Sequence, residues 1–156
     1  MKRALALGLV AAQFVILAAL VLVPRGSLWP ANALVITVAI LLGAVGLILA
    51  VLGAARLGPA LTASPIPREH APLATNGIFG LVRNPIYTGL MTGGLGIALF
   101  GASVWHILFW VALVVLLAAK ARWEERMLVA EHPDYADYGA RVGRFLPGVG
   151  RLRPRD

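Results

Sequence analysis

Ala31-Asn32-Ala33-Leu34-Val35-Ile36-Thr37-Val38-Ala39-Ile40-Leu41-Leu42-Gly43-Ala44-Val45-Gly46-Leu47-Ile48-Leu49-Ala50-Val51-Leu52-Gly53-Ala54-Ala55 is a run of 25 residues without a charge, and Asn32 and Thr37 are its polar members. A helix rises about 1.5 Å per residue, and the hydrocarbon core of a bilayer is about 30 Å thick, so roughly 20 such residues cross it. The run is therefore read as a transmembrane helix. Upstream, Ala4 to Val23 is a second run of 20 residues with Gln13 as its one polar residue. Downstream lie two shorter runs, Ile86 to Phe100 and Val104 to Ala119, joined by Gly101-Ala102-Ser103. As helices they cover about 22–24 Å each. They are expected to form a thin or tilted hairpin.

The expected fold is an all-α integral membrane domain over residues 1–156. Its four transmembrane helices fall at about 4–23, 31–55, 86–100 and 104–119, the last two a short helical hairpin. A connecting loop covers 56–85, and a C-terminal helical tail covers 120–156. Composition agrees. Hydrophobic residues make up 60% of the chain, against roughly 45–50% in soluble domains. Charged residues are 13%, and mean hydropathy is +0.84. There is no cysteine, so disulfides, thiolate metal sites and a cysteine nucleophile are excluded. The first run follows Lys2 and Arg3. It is longer than the 7–15 residues of a signal-peptide core, and an uncleaved first helix is expected.

The 14 Lys and Arg against 7 Asp and Glu leave a net charge of +7. Placing the N-terminus inside puts every basic residue except Arg25 on the cytoplasmic face, together with all seven acids. The expected location is the cytoplasmic membrane with both termini in the cytoplasm. The basic excess thus follows membrane sidedness, and no nucleic-acid-binding motif accompanies it. His70, His106 and His132 lack metal-ligand spacing, so no metal is expected. His106 falls at the outer end of the hairpin and reads as a polar interface residue. No phosphate-binding glycine loop and no Ser/His/Asp order is present.

The chemistry gathers where the loop and the tail meet the hairpin. Asn84-Pro85 reads as a helix start, with Asn as N-cap and Pro in the first helical position. Arg83 beside a helix N-terminus suits a carboxylate or phosphate, and Tyr87 lies one turn further in. The fourth span is expected to continue as one helix to about Glu131, before His132-Pro133. On it, Lys120 and Glu124 are spaced i,i+4, and Arg122 and Glu125 i,i+3. Glu124 stands one turn past Lys120, at the level where a membrane-embedded pocket would open; acids so near a span are costly unless paired or used. In the tail, Tyr135 and Tyr138 share a helix face and Arg141 follows.

The ordered set Arg83-Asn84-Pro85-x-Tyr87-x-Gly89, a short apolar hairpin, Glu124-Glu125-x-x-Leu128, and Tyr135-x-x-Tyr138-x-x-Arg141-Val142-x-Arg144-x-x-Pro147 resembles the isoprenylcysteine carboxyl methyltransferase and phospholipid methyltransferase superfamily. The resemblance covers Leu73 to Pro147. It implies a membrane enzyme that moves a methyl group from S-adenosylmethionine to a lipid or other lipophilic acceptor. By position it implies a cofactor pocket of Leu73, Ala74, Phe79, Asn84, Pro85, Tyr87 and Glu124. It puts Lys120 where eukaryotic members have an arginine directed at the substrate; read with the residues themselves, Arg83, Lys120 and Glu124 are the catalytic candidates, and Lys120, Tyr138 and Arg141 the acceptor-binding ones. Phe79 stands where the family often has Tyr, and Asn84 where many members have His. The competing readings are an NADPH-dependent reductase of the steroid 5α-reductase type and a non-catalytic membrane scaffold.

Leu22-Val23-Pro24-Arg25-Gly26-Ser27 spells a thrombin recognition sequence between the first two spans. Thrombin is expected to cut after Arg25 only from the outer side of sealed vesicles. Cutting in inside-out vesicles would overturn the orientation.

Overall fold

The computed structural model describes residues 2–66 and 73–153. The charges and histidine expected at Arg68, Glu69, His70, Arg155 and Asp156 lie outside the described residues. The described chain is helical: α1 (Lys2–Leu22), α2 (Ala33–Leu57), α3 (Pro85–Gly101), α4 (Val104–Glu131) and the short α5 (Tyr135–Arg141). Two 3₁₀ turns, Gly58–Ala60 and Gly77–Gly80, punctuate the connection from α2 to α3. Among the described residues there is no strand, only isolated bridges such as Val82 with Gly143.

Three helices are long and apolar enough to cross a membrane: α1, α2 with the turn that follows it, and α4. The protein is an integral membrane protein. At 17 residues, α3 is the short member. The fourth helix continues past the span itself, as expected. It runs unbroken for 28 residues to Glu131, because its polar last turns pack against protein. Ser103 caps its start, the hydroxyl accepting from Trp105 N at 3.2 Å. Asn32 caps α2 likewise, accepting from Val35 N at 2.9 Å.

The closest packing joins α2 to α3, and small residues explain it. A Cβ on Gly46 would sit 2.5 Å from Gly93 N and 2.6 Å from Gly89 O. A Cβ on Gly89 would meet Gly46 O at 2.5 Å, and one on Gly96 would meet Ala39 O at 2.7 Å. The two backbones touch along a seam of residues three and four apart, the small-residue mode by which helices associate where no hydrophobic force separates protein from lipid. On its other side α3 packs against α4 and α1 around Leu20, Ala98, Leu113 and Leu117. The outward faces of α1 and α2, among them Leu7, Phe14, Val15, Ile40 and Leu47, are exposed, as lipid-facing surfaces require.

A strap between α1 and α2 closes the turn of the hairpin. Gly26 N donates to Gly101 O at 2.8 Å, Leu28 N to Ala102 O at 2.9 Å, and Trp29 Nε1 to Leu99 O at 2.7 Å. Ala102 adopts the left-handed conformation (φ 45°) that ends α3. His106 is buried beneath this turn, so close that any Cβ on Gly101 would strike its ring. The strap also holds the thrombin sequence at Gly26, so cutting is expected to be slow. A cysteine placed at Arg25 reports the same orientation, because the chain has no other.

The α2–α3 seam yields a paired prediction. Gly46→Ala or Gly89→Ala forces the backbones apart and is expected to cost about 1–3 kcal/mol. Gly8→Ala in α1, where a Cβ meets nothing within 4 Å, should be neutral or slightly stabilising. Thermal unfolding in detergent compares them.

Candidate functional site

At the polar end of the bundle, a cavity of about 340 Å³ opens between the helices, within the size range of small-molecule sites. Gln13 of α1 and Leu57 of α2 line one side. The connection contributes Leu61, Thr62, Ala63, Leu73, Ala74 and Phe79. The start of α3 contributes Arg83, Asn84, Pro85, Tyr87 and Leu90. Glu124 and Leu128 of α4, His132 just after it, and Tyr135 and Tyr138 of α5 line the other side, with Ala60 and Ile86 also on the wall.

Two adjacent acids on α4 organise it. Successive helical residues differ by about 100° in direction, so Glu124 and Glu125 face different neighbours. Glu124 looks along the Lys120 face into the cavity, where Tyr87 Oη donates to Oε2 at 3.0 Å. Its Oε1 has no protein partner among the described residues. Glu125 looks toward the tail and is buried. Its Oε1 accepts from Arg83 Nε and Asn84 Nδ2, both at 3.1 Å. Its Oε2 accepts from Arg144 Nε at 2.9 Å and pairs with Nη2 at 2.8 Å. Arg122, expected as the i,i+3 partner of Glu125, is exposed and pairs with no acid among the described residues.

Arg83 is buried, and four of its five N–H groups are engaged. Besides Glu125, Nη1 donates to Gly139 O at 2.8 Å and to Val142 O, and Nη2 to Gly150 O at 3.0 Å. The remaining Nη2 hydrogen has no partner among the described residues, and the side chain is fully enclosed. Asn84 occupies the N-cap position and Pro85 the first turn of α3, but the Asn84 side chain does not cap the helix. The competing acceptor is Glu125, which draws Nδ2 away. The backbone instead fixes the junction: Arg83 N donates to Gly143 O at 2.9 Å and Asn84 N to Arg144 O at 3.1 Å.

Lys120 is fully buried just behind the lining. Its Nζ donates to Gln13 Oε1 and, at 3.0 Å, to Ala63 O, and lies 5.4 Å from the Tyr87 ring centroid. Tyr138 turns its ring to the cavity and donates from Oη to Phe79 O at 2.6 Å, while Tyr135 packs edge-on at 5.6 Å. Burial pushes the Tyr138 phenol up to about 12 against the opposing pull of Arg83. Burial, aided by Glu125, raises Tyr135 further. Both remain protonated donors at neutral pH. Among the described residues no acid or histidine cluster is arranged for a metal ion.

The structure therefore brings Leu73, Ala74, Phe79, Arg83, Asn84, Pro85, Tyr87, Glu124 and Tyr138 onto one cavity. It places Lys120 immediately behind the wall, and leaves Arg141 exposed at the end of α5, away from the lining. Sequence reasoning passed over Gln13, Glu125, Arg144 and Tyr135 as site residues. A lone amide in the middle of an apolar span was the available signal for Gln13.

Residues 34–134 match the family model described as phospholipid methyltransferase, and the chain belongs to that family. It is also 33% identical over 114 residues to the cobalt-zinc-cadmium resistance protein CzcN of Cupriavidus metallidurans. That alignment covers 72% of this chain and 50% of the relative, so the chain spans about half the length of the curated relative it matches. No solved structure matches it significantly.

Removing one partner of a buried ion pair leaves the other charge stranded, at about 3–5 kcal/mol. Glu125→Ala should therefore lower the melting midpoint sharply and loosen the tail, so that trypsin cuts faster after the already exposed Arg141 and Arg151. Arg126→Ala, on the exposed face of the same turn, should stay within about 0.5 kcal/mol of the parent.

Proposed function

We propose that the protein is an S-adenosylmethionine-dependent methyltransferase acting on a lipophilic acceptor that reaches the cavity from the bilayer. The observation that carries this reading is Glu124. One carboxylate oxygen is held by Tyr87 and the other opens on a cavity walled by aromatic rings. The cofactor has an ammonium, a sulfonium, ribose hydroxyls, a carboxylate and adenine. The chain offers the open oxygen of Glu124 for the ammonium or ribose, and the positive charge of Arg83, enclosed beside the cavity, for the carboxylate. Phe79, Tyr87 and Tyr135 can stack on adenine or face the sulfonium through cation–π attraction. When bound, S-adenosylmethionine supplies a sulfonium-borne methyl group that an acceptor heteroatom takes while the carbon–sulfur electron pair returns to sulfur.

The residues present serve positioning more than proton transfer. Asn84 cannot act as a base near neutral pH. Tyr87 orients Glu124. Arg83 and Asn84, through Glu125, fix the first turn of α3 against the tail. Alignment of two bound reactants can itself supply a large part of the rate. In this reading the polar end of the bundle faces the cytoplasm and admits the cofactor, while the apolar lining at Leu57, Leu61, Ile86 and Leu90 receives the acceptor.

Isothermal titration of the detergent-solubilised protein tests the reading. S-adenosylmethionine and its demethylated product should bind, and NADPH should not; tight NADPH binding with neither of the others would overturn it. Glu124→Gln keeps an oxygen for Tyr87 but loses the charge. It should fold normally and lose S-adenosylmethionine binding, and unchanged affinity would remove Glu124 from the site.

A further inference from the structure

Gln13 lies midway along α1, outside residues 34–134 that match the family model. It is 6% exposed and lines the cavity. Its Oε1 accepts from Lys120 Nζ. An ammonium has three donors and no lone pair, so this contact fixes which way the amide faces: the oxygen turns to α4 and Nε2 turns away from it. Nε2 has no protein partner among the described residues. Nor is it sealed in, because His106 Nδ1 is the only fully enclosed side-chain atom without a partner there. A cavity-lining residue in the middle of an apolar helix thus carries two N–H donors without a partner among the described residues, where an unmet polar group is expensive. Behind them stands buried Lys120, whose other contacts among the described residues are Ala63 O and the Tyr87 ring, with the Glu124 carboxylate one helical turn along α4. The cavity therefore has two distinct poles: an open carboxylate oxygen at Glu124, and an amide donor backed by a cation at Gln13.

We propose that Gln13 recognises the acceptor, donating from Nε2 to an anionic oxygen of its head group, with Lys120 as the positioning residue that orients the amide and supplies the field. The inference rests on the methyltransferase reading and adds the head-group chemistry: a carboxylate or a phosphate ester on an apolar chain. A protonated amine has no lone pair for Nε2 and is repelled by Lys120. A neutral alcohol accepts the hydrogen bond without gaining from the charge.

Chain-matched probes test it: dodecanoate, dodecyl phosphate, dodecylamine and dodecanol, titrated calorimetrically into the full chain in a non-ionic detergent. The two anions should bind about tenfold or more tighter than the amine and the alcohol, the scale of one charge-assisted hydrogen bond. The order of the two anions says whether a carboxylate or a phosphate ester is the source, and either order supports the proposal. Gln13→Leu should erase the preference. Gln13→Glu retains a partner for Lys120, and with it the link between α1 and α4. It replaces the donor by an acceptor, so it should erase the preference while the melting midpoint is kept. In both variants S-adenosylmethionine affinity should stay within about twofold of the parent. An amine bound as tightly as dodecanoate, or an anion preference that survives in Gln13→Glu, would overturn the proposal. Failure of the parent to bind S-adenosylmethionine would count instead against the methyltransferase reading, which the amphiphile titrations do not measure.

Discussion

One carboxylate, Glu125, ties together three parts of the chain that are distant in sequence. It receives Arg83 and Asn84 from the start of α3 and Arg144 from the tail, while itself standing on α4. A dehydrated acid is tolerable only when its oxygens are met by donors, and here both are. Arg83, steadied by this contact, spends most of its remaining hydrogens on the carbonyls of Gly139, Val142 and Gly150. Those bonds draw the tail over the cavity. The wrapped tail brings Tyr138 to the Phe79 carbonyl and Tyr135 to the wall. Glu125 thus joins the backbone bonds of Arg83 and Asn84 in closing the tail over the pocket that Glu124, its neighbour, opens into.

The adjacent pair illustrates a division that helical geometry makes natural. A single step along a helix turns the side chain by about 100°. Two identical acids then meet two environments. Glu125 meets cations and becomes a fixed part of the scaffold, while Glu124 meets one phenol and keeps an oxygen in reserve. Rigidity and chemistry stand side by side, which holds the open carboxylate in place at little further entropic cost.

The parts of this architecture written in local sequence were legible there. The uncharged run at 31–55, the break at Gly101-Ala102-Ser103 and the Asn84-Pro85 helix start place the helices to within a few residues. Leu73, Ala74, Phe79, Asn84, Pro85, Tyr87 and Glu124, which the family resemblance pointed to, share one cavity. What could not be read depends on contacts between distant segments. Helical spacing assigned Glu125 to Arg122, but Arg83 and Arg144 arrive from other segments and win because they are held in a dry environment. Asn84 looked like a cap because its competitor for the amide is 41 residues away. Gln13 read as a tolerated polar residue until α4 brought Lys120 against it. The glycines of α2 gave no sign of their role without those of α3, since a close approach needs both faces.

The seam between α2 and α3 also decides where the molecule can open. Gly46 against Gly89 and Gly93, and Gly96 against Ala39, leave the two backbones in contact with nothing compressible between them. Such a joint cannot breathe by side-chain rotation, so it can part only as a whole. α1 lacks packing of this kind on α2, and its lower half is fastened to α4 through Gln13 and Lys120. An acyl chain too bulky for the polar mouth would therefore meet least resistance between α1 and α2, with the α2–α3 pair as its frame.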